Sequence, residues 1–318
     1  MYDILTLGTA SVDFFIYKKG IEDKKEDIVL PLDVKMDVEE ANFFIGGGAL
    51  NTALSFKNLG FKVATYIQLG KDFLGDFIKK ELAKKNIKYY ADYSKKPTAF
   101  SIFLKTNKKD DLIFVYRGAS EKLDFKDVKN IKKIKAKNVY LGPSLSKISI
   151  LKAIVSHFKK MGAFIAWNPS FFQASFGLWQ TKSILKNLDL IILNKKEAEV
   201  FFKEDNFKKQ IEIIFNNFNG ITLITLGKEG SLCVLKDKIY KAETFFEKEV
   251  VDRTGAGDAF SSAFIGALIL KKDIKEALRW GSANATSTIE KLGANVGHLK
   301  KRDYNKIRWQ NLKIYILK

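Results

Sequence analysis

The sequence predicts an α/β fold: a doubly wound parallel sheet with a second, smaller β-sheet. Three observations predict it. Short apolar runs alternate with amphipathic stretches over most of the 318 residues, as strands joined by crossover helices do. Between residues 87 and 117 the alternation stops, and three β-rich runs (89–93, 98–105, 112–116) follow with only turn-like breaks. Such a meander is expected to stand apart as a small sheet. The 46% hydrophobic content suffices for a large core, and the length of residues 1–318 fits one large domain or one core with a small subdomain.

In order, residues 3–8 read as a strand closed by glycine and 11–17 as a second extended run. Asp13 interrupts that run, either as a solvated carboxylate or as a hydroxyl-binding group. After a charged loop near 18–28, a strand at 41–45 leads into Gly46-Gly47-Gly48 and a helix over 49–59. Three successive glycines are costly in backbone entropy unless something must approach the main chain. Asn51, in the first turn, is placed to bond whatever they admit. Residues 63–85 form a strand–turn–helix unit.

Beyond Asp124 the alternation resumes. Strands are expected at 138–141, 164–167 and 188–193, with helices near 147–160, 174–186 and 195–203. Asn194 follows the apolar strand 188–193, and Glu197 falls in the next helix's first turn. Ligands bind at such strand ends, yet the same pair suits a capping box. Residues 221–227 and 231–235 flank the turn Lys228-Glu229-Gly230, with Cys233 inside the second strand.

Asp252-Arg253-Thr254-Gly255-Ala256-Gly257-Asp258 precedes an apolar, small-residue helix to Leu270. The N–H groups of Gly255 to Asp258 lie at a helix N-terminus, where partial positive charge suits a phosphate. Asp258 adds a carboxylate beside that cradle, a pairing that fits phosphoryl transfer to a hydroxyl. A tight loop with a helix-capping charge fits these residues equally. A helix over 274–292 then carries Gly281, Ser282, Ala283 and Asn284, which admit either a flat ring or a close helix. Residues 293–297 form a turn, and the tail packs as a helix or strand against the core.

Composition excludes several classes. The 55 basic and 36 acidic residues give a net charge of +19. Only five bases are Arg, the side chain that reads phosphates and bases bidentately, which argues against nucleic acid as a partner. The excess reads as a lysine-rich solvated surface that attracts anionic ligands. One cysteine excludes disulfides and Cys-based metal sites. His157 and His298 form neither a metal-ligand pair nor a Ser/His/Asp order, so acid–base chemistry falls to carboxylates. No apolar stretch is long enough to span a bilayer, and the first residues lack a signal-peptide pattern. A cytoplasmic location is expected.

Four motifs in order carry a resemblance. Gly46-Gly47-Gly48-Ala49-Leu50-Asn51, Asn194-x-x-Glu197, Thr225-Leu226-Gly227-x-x-Gly230 and Asp252-x-x-Gly-Ala-Gly-Asp258 resemble the signatures of the ribokinase (PfkB) family of sugar and nucleoside kinases. The resemblance implies a ribokinase-like three-layer fold of roughly nine strands, with a lid from about 11–45 and 87–117. It implies an ATP-dependent kinase acting on a hydroxyl of a small sugar or sugar acid, or alternatively a nucleoside kinase. A non-catalytic basic regulator is a third reading.

Asp258 would be the base, and the N–H groups of Gly255, Ala256, Gly257 and Asp258 the anion hole. Asn194 and Glu197 would position Mg²⁺, partly through water. Thr225, Gly227 and Gly230 would line ATP, with Ser282 or Asn284 near adenine. Asp13, Gly47, Gly48 and Asn51 would hold the acceptor, and Arg117 would face an acceptor carboxylate. Asp252, Thr254, Thr288, Lys291, Gly293 and Gly297 match the family's monovalent-cation (K⁺) loop, and lids of this kind pair into homodimers. Arg253 departs from the small or hydroxyl residue usual at its position. At Leu141-Gly142-Pro143-Ser144 there is no glutamate of the kind ribokinases proper carry. Tyr116-Arg117-Gly118 resembles the lid end of kinases for keto-sugars or sugar acids.

Overall fold

The computed structural model describes residues 1–19, 22–24, 27–106 and 111–317. Parts of the expected lid, at 20–21, 25–26 and 107–110, lie outside them. The chain opens with β1 (Tyr2–Leu7), β2 (Ser11–Tyr17), the hairpin β3 (Glu22–Lys24) and β4 (Asp27–Val29), and β5 (Glu40–Gly46). Next come α1 (Gly48–Asn58), β6 (Val63–Leu69), α2 (Phe73–Lys84), β7 (Lys88–Tyr93), β8 (Ala99–Lys105) and β9 (Leu112–Tyr116). The middle of the chain forms α3 (Phe125–Ile131), β10 (Ala136–Leu141), α4 (Ile148–Lys160), β11 (Phe164–Trp167), α5 (Phe171–Ala174) and α6 (Gly177–Leu185). There follow β12 (Leu190–Asn194), α7 (Lys195–Phe202), α8 (Phe207–Asn217), β13 (Ile221–Thr225), β14 (Ser231–Val234) and β15 (Ile239–Ala242). The last elements are α9 (Ala256–Ile269), α10 (Ile274–Ile289) and β16 (Ile314–Ile316).

Ten strands form one sheet in the order β16-β15-β14-β13-β12-β11-β10-β1-β6-β7. From β13 to β7 neighbours are parallel; β14, β15 and β16 close one edge antiparallel. Strand alternation sends side chains to opposite faces. Leu190 and Ile192 join Leu50, Phe56 and Phe264 from α1 and α9, whereas Ile191 and Leu193 join Ile154, Phe158 and Phe201 from α4 and α7. Burying a side chain of the size of Leu50 contributes about 1.5–3 kcal/mol. The three layers expected of the fold are therefore present.

A separate sheet of four strands has the order β5-β2-β8-β9, with β2 and β8 parallel and the outer pairs antiparallel. One expectation is corrected here. Residues 89–93, read as part of the small sheet, form β7 and pair parallel with β6 at the edge of the large one. The helix α2 links β6 to β7, so 63–93 is a strand–helix–strand unit that ends one strand later than read. The large sheet accordingly has ten strands rather than nine. The helix expected over 174–186 is α6, which starts at Gly177 with a φ of 67°, and the short helix α5 before it was not expected. Residues 207–217, not assigned from sequence, form α8, started by Asn206 accepting from the Lys208 and Lys209 N–H groups. Among the described residues no helix is long and apolar enough to cross a membrane.

Candidate active site

The helix α9 starts against the loop after α10. Gly255 has a φ of 77°, and a Cβ there would press into Ala294, so only glycine fits this turn. Residues 253–258 stand between two clefts. One, of about 260 Å³, is lined by Thr225, Gly227, Lys228, Gly230, Arg253, Ala256, Gly257 and Ser282. The other, of about 230 Å³, is lined by Ser11, Asp13, Gly47, Asn51, Arg117, Thr254, Gly255 and Asp258. Three motifs far apart in sequence, those of Gly47 and Asn51, of Thr225 to Gly230 and of Arg253 to Asp258, thus line the two clefts, at the carboxyl ends of the parallel strands where α/β sheets bind ligands; Asn194 and Glu197 are not among the residues lining either cleft.

Asp258 lies in the first turn of α9 and faces the second cleft. Asn51 Nδ2 donates to its Oδ2 at 2.9 Å, and Asn295 Nδ2 donates to Asn51 Oδ1 at 3.0 Å. That second bond fixes which end of the Asn51 amide faces the carboxylate. Asn51 retains a second Nδ2 hydrogen for a ligand. Gly48 keeps the carboxylate approachable: a Cβ there would sit 3.5 Å from Asp258 Oδ1 and 3.0 Å from Pro143 Cδ. Burial pushes the Asp258 carboxyl above its ordinary range, and the Asn51 bond works against that shift.

Asp13 is only 4% exposed. Its carboxylate occupies the space that a Gly46 side chain would take on the paired strand β5. Ser11 Oγ donates to Asp13 Oδ1 at 3.1 Å. Burial lifts the Asp13 carboxyl to about 6; the Ser11 and Ser101 hydroxyls oppose this, while the Asp252 and Asp258 charges add to it. Arg117 is the one cationic side chain among the described residues lining this cleft.

The nucleotide-side prediction divides. Ser282, Ala285, Thr286 and Ile289 line the first cleft, following the spacing of one helix face. Asn284 does not reach it. Its Nδ2 donates to Ala259 O at 2.8 Å and Ser55 Oγ at 3.2 Å, and its Oδ1 accepts from Leu299 N. Asn284 is therefore a buried bridge between α10, α9 and α1, on another face of α10. Asn194 and Glu197 form the reciprocal cap, each side chain accepting the other's backbone N–H at 2.9 Å. Burial raises the Glu197 carboxyl; the Asn194 bonds oppose this and the Asp258 charge adds to it.

Asp252 joins two loops, its Oδ1 accepting from Thr254 N at 2.9 Å and its Oδ2 from Gly293 N at 3.0 Å. Thr288 O accepts from Lys291 N, and Gly297 O accepts from Ser287 Oγ at 2.7 Å. All six residues of the expected cation loop therefore lie in one bonded region.

Sequence reading missed three neighbours. Tyr140 is fully buried, its phenol donating to Asn168 Oδ1 at 3.2 Å. Burial, then the charges of Asp258 and Glu197, raise the Tyr140 hydroxyl well above its usual range. Asn168 directly follows β11, so its strand-end position was a usable signal. Asn295 had none beyond its place in a glycine-flanked turn.

A family model described as "pfkB family carbohydrate kinase" matches residues 1–302. With this fold, the match makes the protein a phosphotransferase acting on a hydroxyl acceptor. The chain belongs to the pfkB family of carbohydrate kinases. It is 28% identical over 311 residues to an ATP-dependent 6-phosphofructokinase of Thermoanaerobacterium thermosaccharolyticum, covering 93% of this chain and 90% of that protein. A 5-dehydro-2-deoxygluconokinase of Bacillus subtilis is 25% identical over 308 residues, covering 91% and 90%. Among solved structures, phosphofructokinase-2 from Escherichia coli in complex with potassium superposes with a TM-score of 0.78 at 19% identity, covering 97% and 98%.

Proposed function

We propose that the protein transfers the γ-phosphate of ATP to a hydroxyl of a small sugar or sugar acid, with Asp258 as general base. The observation carrying this reading is the position of residues 253–258 between two clefts, with Asp258 facing the one that holds Asp13 and Arg117. ATP lies in the cleft of Thr225, Gly227, Gly230 and Ser282, its phosphates pointing at the start of α9. The acceptor lies in the other cleft, where Asp13, Asn51 and the Gly47–Gly48 backbone take its hydroxyls. Asp258 accepts the proton of the attacking hydroxyl as the oxygen–phosphorus bond forms and the γ-phosphate leaves ADP. The N–H groups of Gly255 to Asp258 stabilise charge on the phosphoryl oxygens in flight. Removing the base at Asp258 should lower kcat by roughly 10²–10⁴-fold.

Glu197, with Asn194, offers the hard oxygen donors that Mg²⁺ prefers. Among the described residues no group of three or more His, Cys, Asp or Glu is placed to hold a metal, which fits an ion held largely by phosphate and water. Bound Mg²⁺ supplies neutralisation of phosphate charge. A monovalent cation such as K⁺ is assigned to the loops joined by Asp252. A several-fold higher rate in K⁺ than in tetramethylammonium supports that assignment, and equal rates remove it.

Arg117 favours an acceptor carrying an anionic group. Phosphate release from ATP should be followed with sugars, 2-keto-3-deoxy acids, 5-dehydro-2-deoxygluconate, fructose 6-phosphate and nucleosides. Turnover on an anionic sugar that falls in Arg117→Ala supports the reading; turnover confined to nucleosides replaces it with the nucleoside-kinase alternative. The rings of Phe100 and Tyr116, 5.3 Å apart beside the acceptor cleft, are what favour that alternative. ATP-independent binding of nucleic acid without turnover on any acceptor would favour the regulator.

A further inference from the structure

One amide connects three parts of the molecule. Asn295 Nδ2 donates to Ile45 O at 2.7 Å and to Asn51 Oδ1 at 3.0 Å. Ile45 belongs to β5 of the small sheet, and Asn51 belongs to α1 of the core. Asn51 Nδ2 in turn donates to Asp258 Oδ2 at 2.9 Å. A primary amide has a donor end and an acceptor end of nearly equal shape. Packing alone leaves the Asn51 amide free to turn over and aim its oxygen at the Asp258 carboxylate. The Asn295 donor removes that option, because only Asn51 Oδ1 accepts from it.

The loop bearing Asn295 is itself held on both sides. Gly293 N donates to Asp252, and a Cβ on Gly293 would meet the Phe44 ring of β5 at 3.0 Å. We propose that Asn295 is a positioning residue: it sets the orientation of the Asn51 amide, and through it that of Asp258, while tying both to strand β5 of the lid. This rests on the reading of Asp258 as the base. Asn295 has no role in ATP binding, since it is not among the residues that line the nucleotide cleft. Its effect is therefore confined to the reacting end of the acceptor site.

Asn295→Ala removes both donations from a half-buried position. The near-isosteric Asn295→Asp keeps the shape and withdraws the donor, offering an oxygen that attracts Asn51 Nδ2 away from Asp258. Each is expected to lower kcat about 10–100-fold, the scale of a misplaced reacting group, with KM for ATP within about twofold. Asn51→Ala removes the intermediary, so adding Asn295→Ala to it is expected to cost no more than about a further threefold, because residues acting as one unit are not additive. The proposal is overturned if Asn295→Asp keeps the wild-type kcat, if KM for ATP rises in step with the fall in kcat, or if the two losses multiply in the double variant. Asp258→Asn is assayed in parallel. Full activity there ends the general-base reading itself, whereas an inactive Asp258→Asn beside multiplying losses ends only the role of Asn295.

Discussion

Gly46 and Asp13 are diagonal neighbours across the β5–β2 pair, where Gly46 stands opposite Ser11, and the Asp13 carboxylate fills the volume a side chain on Gly46 would need. The first glycine of the Gly46-Gly47-Gly48 run thus makes room for a carboxylate in the cleft proposed for the acceptor. Gly46→Ala displaces Asp13 without touching the nucleotide cleft. Steady-state kinetics should show acceptor KM or kcat worsened by about 10²-fold, the effect of shifting a positioning group by roughly 1 Å, with KM for ATP unchanged. Equal damage to both substrates would contradict this.

Arg253 tests the nucleotide side. It lines the first cleft with Lys228, while its neighbour Asp252 turns inward to the 293 loop. A charge-assisted bond from Arg253 to a phosphate is worth about 1.5–3 kcal/mol. Arg253→Ala should therefore raise KM for ATP roughly 10–100-fold and leave acceptor KM near its original value. No change in KM for ATP would place Arg253 in solvent.

Acid dependence of activity follows from Asp258. As the proposed base Asp258 works ionised, and burial holds its carboxyl above the ordinary range. Loss of kcat/KM on acidification should therefore begin at a higher pH than an exposed carboxylate's ~3.9 predicts. Asp13, lifted to about 6, adds a second acid limb that Asp13→Asn should remove. A profile flat down to pH 4.5 would contradict the Asp13 assignment.

Acid dependence of stability has a different source. His298 is buried with neither ring nitrogen partnered among the described residues, and burial pushes it down to about 3. The unfolded chain binds the proton near pH 6.5 and the folded chain refuses it. Stability is thus complete above ~6.5 and falls as pH drops toward 3, by about 1.4 kcal/mol per unit. Asp13 acts oppositely, since its raised carboxyl removes stability as pH rises from ~3.9 to about 6. Comparing Tm against pH for wild type and His298→Leu isolates the histidine, and the variant's curve should be flatter between pH 4 and 6.5. Parallel curves would show that His298 finds a proton partner.

The lid edge bears on assembly. Ile113, Phe114, Val115 and Tyr116 of β9 are 39–57% exposed, and among the described residues β9 pairs on one side only, with β8. An apolar, unpaired edge is a template for another strand, so light scattering should report a homodimer through the lids. Phe114→Lys, at a site exposed in the single chain, should give monomers. An unchanged mass in that variant would move the interface elsewhere or leave the protein monomeric.

Much of this was legible in the sequence where local chemistry dictates local geometry. The glycine turn before α9, the Asn194–Glu197 pair and the alternation after residue 124 each name their own structure. What was not legible depends on distant partners. Residues 89–93 alternate as any edge strand does, and only pairing with β6 assigns them to the large sheet. Asn284 and Ser282 share a small-residue stripe, and only the packing of α10 on α9 decides which one faces the cleft. Asn295 became visible through bonds to residues about 250 positions away.

The central claim is that Asp258 removes the proton from the acceptor hydroxyl. Single-turnover phosphoryl transfer by Asp258→Asn, with ATP binding measured on the same sample, tests it most directly. The account predicts retained ATP affinity with transfer slowed by about 10²–10⁴-fold. Transfer at the wild-type rate would contradict it.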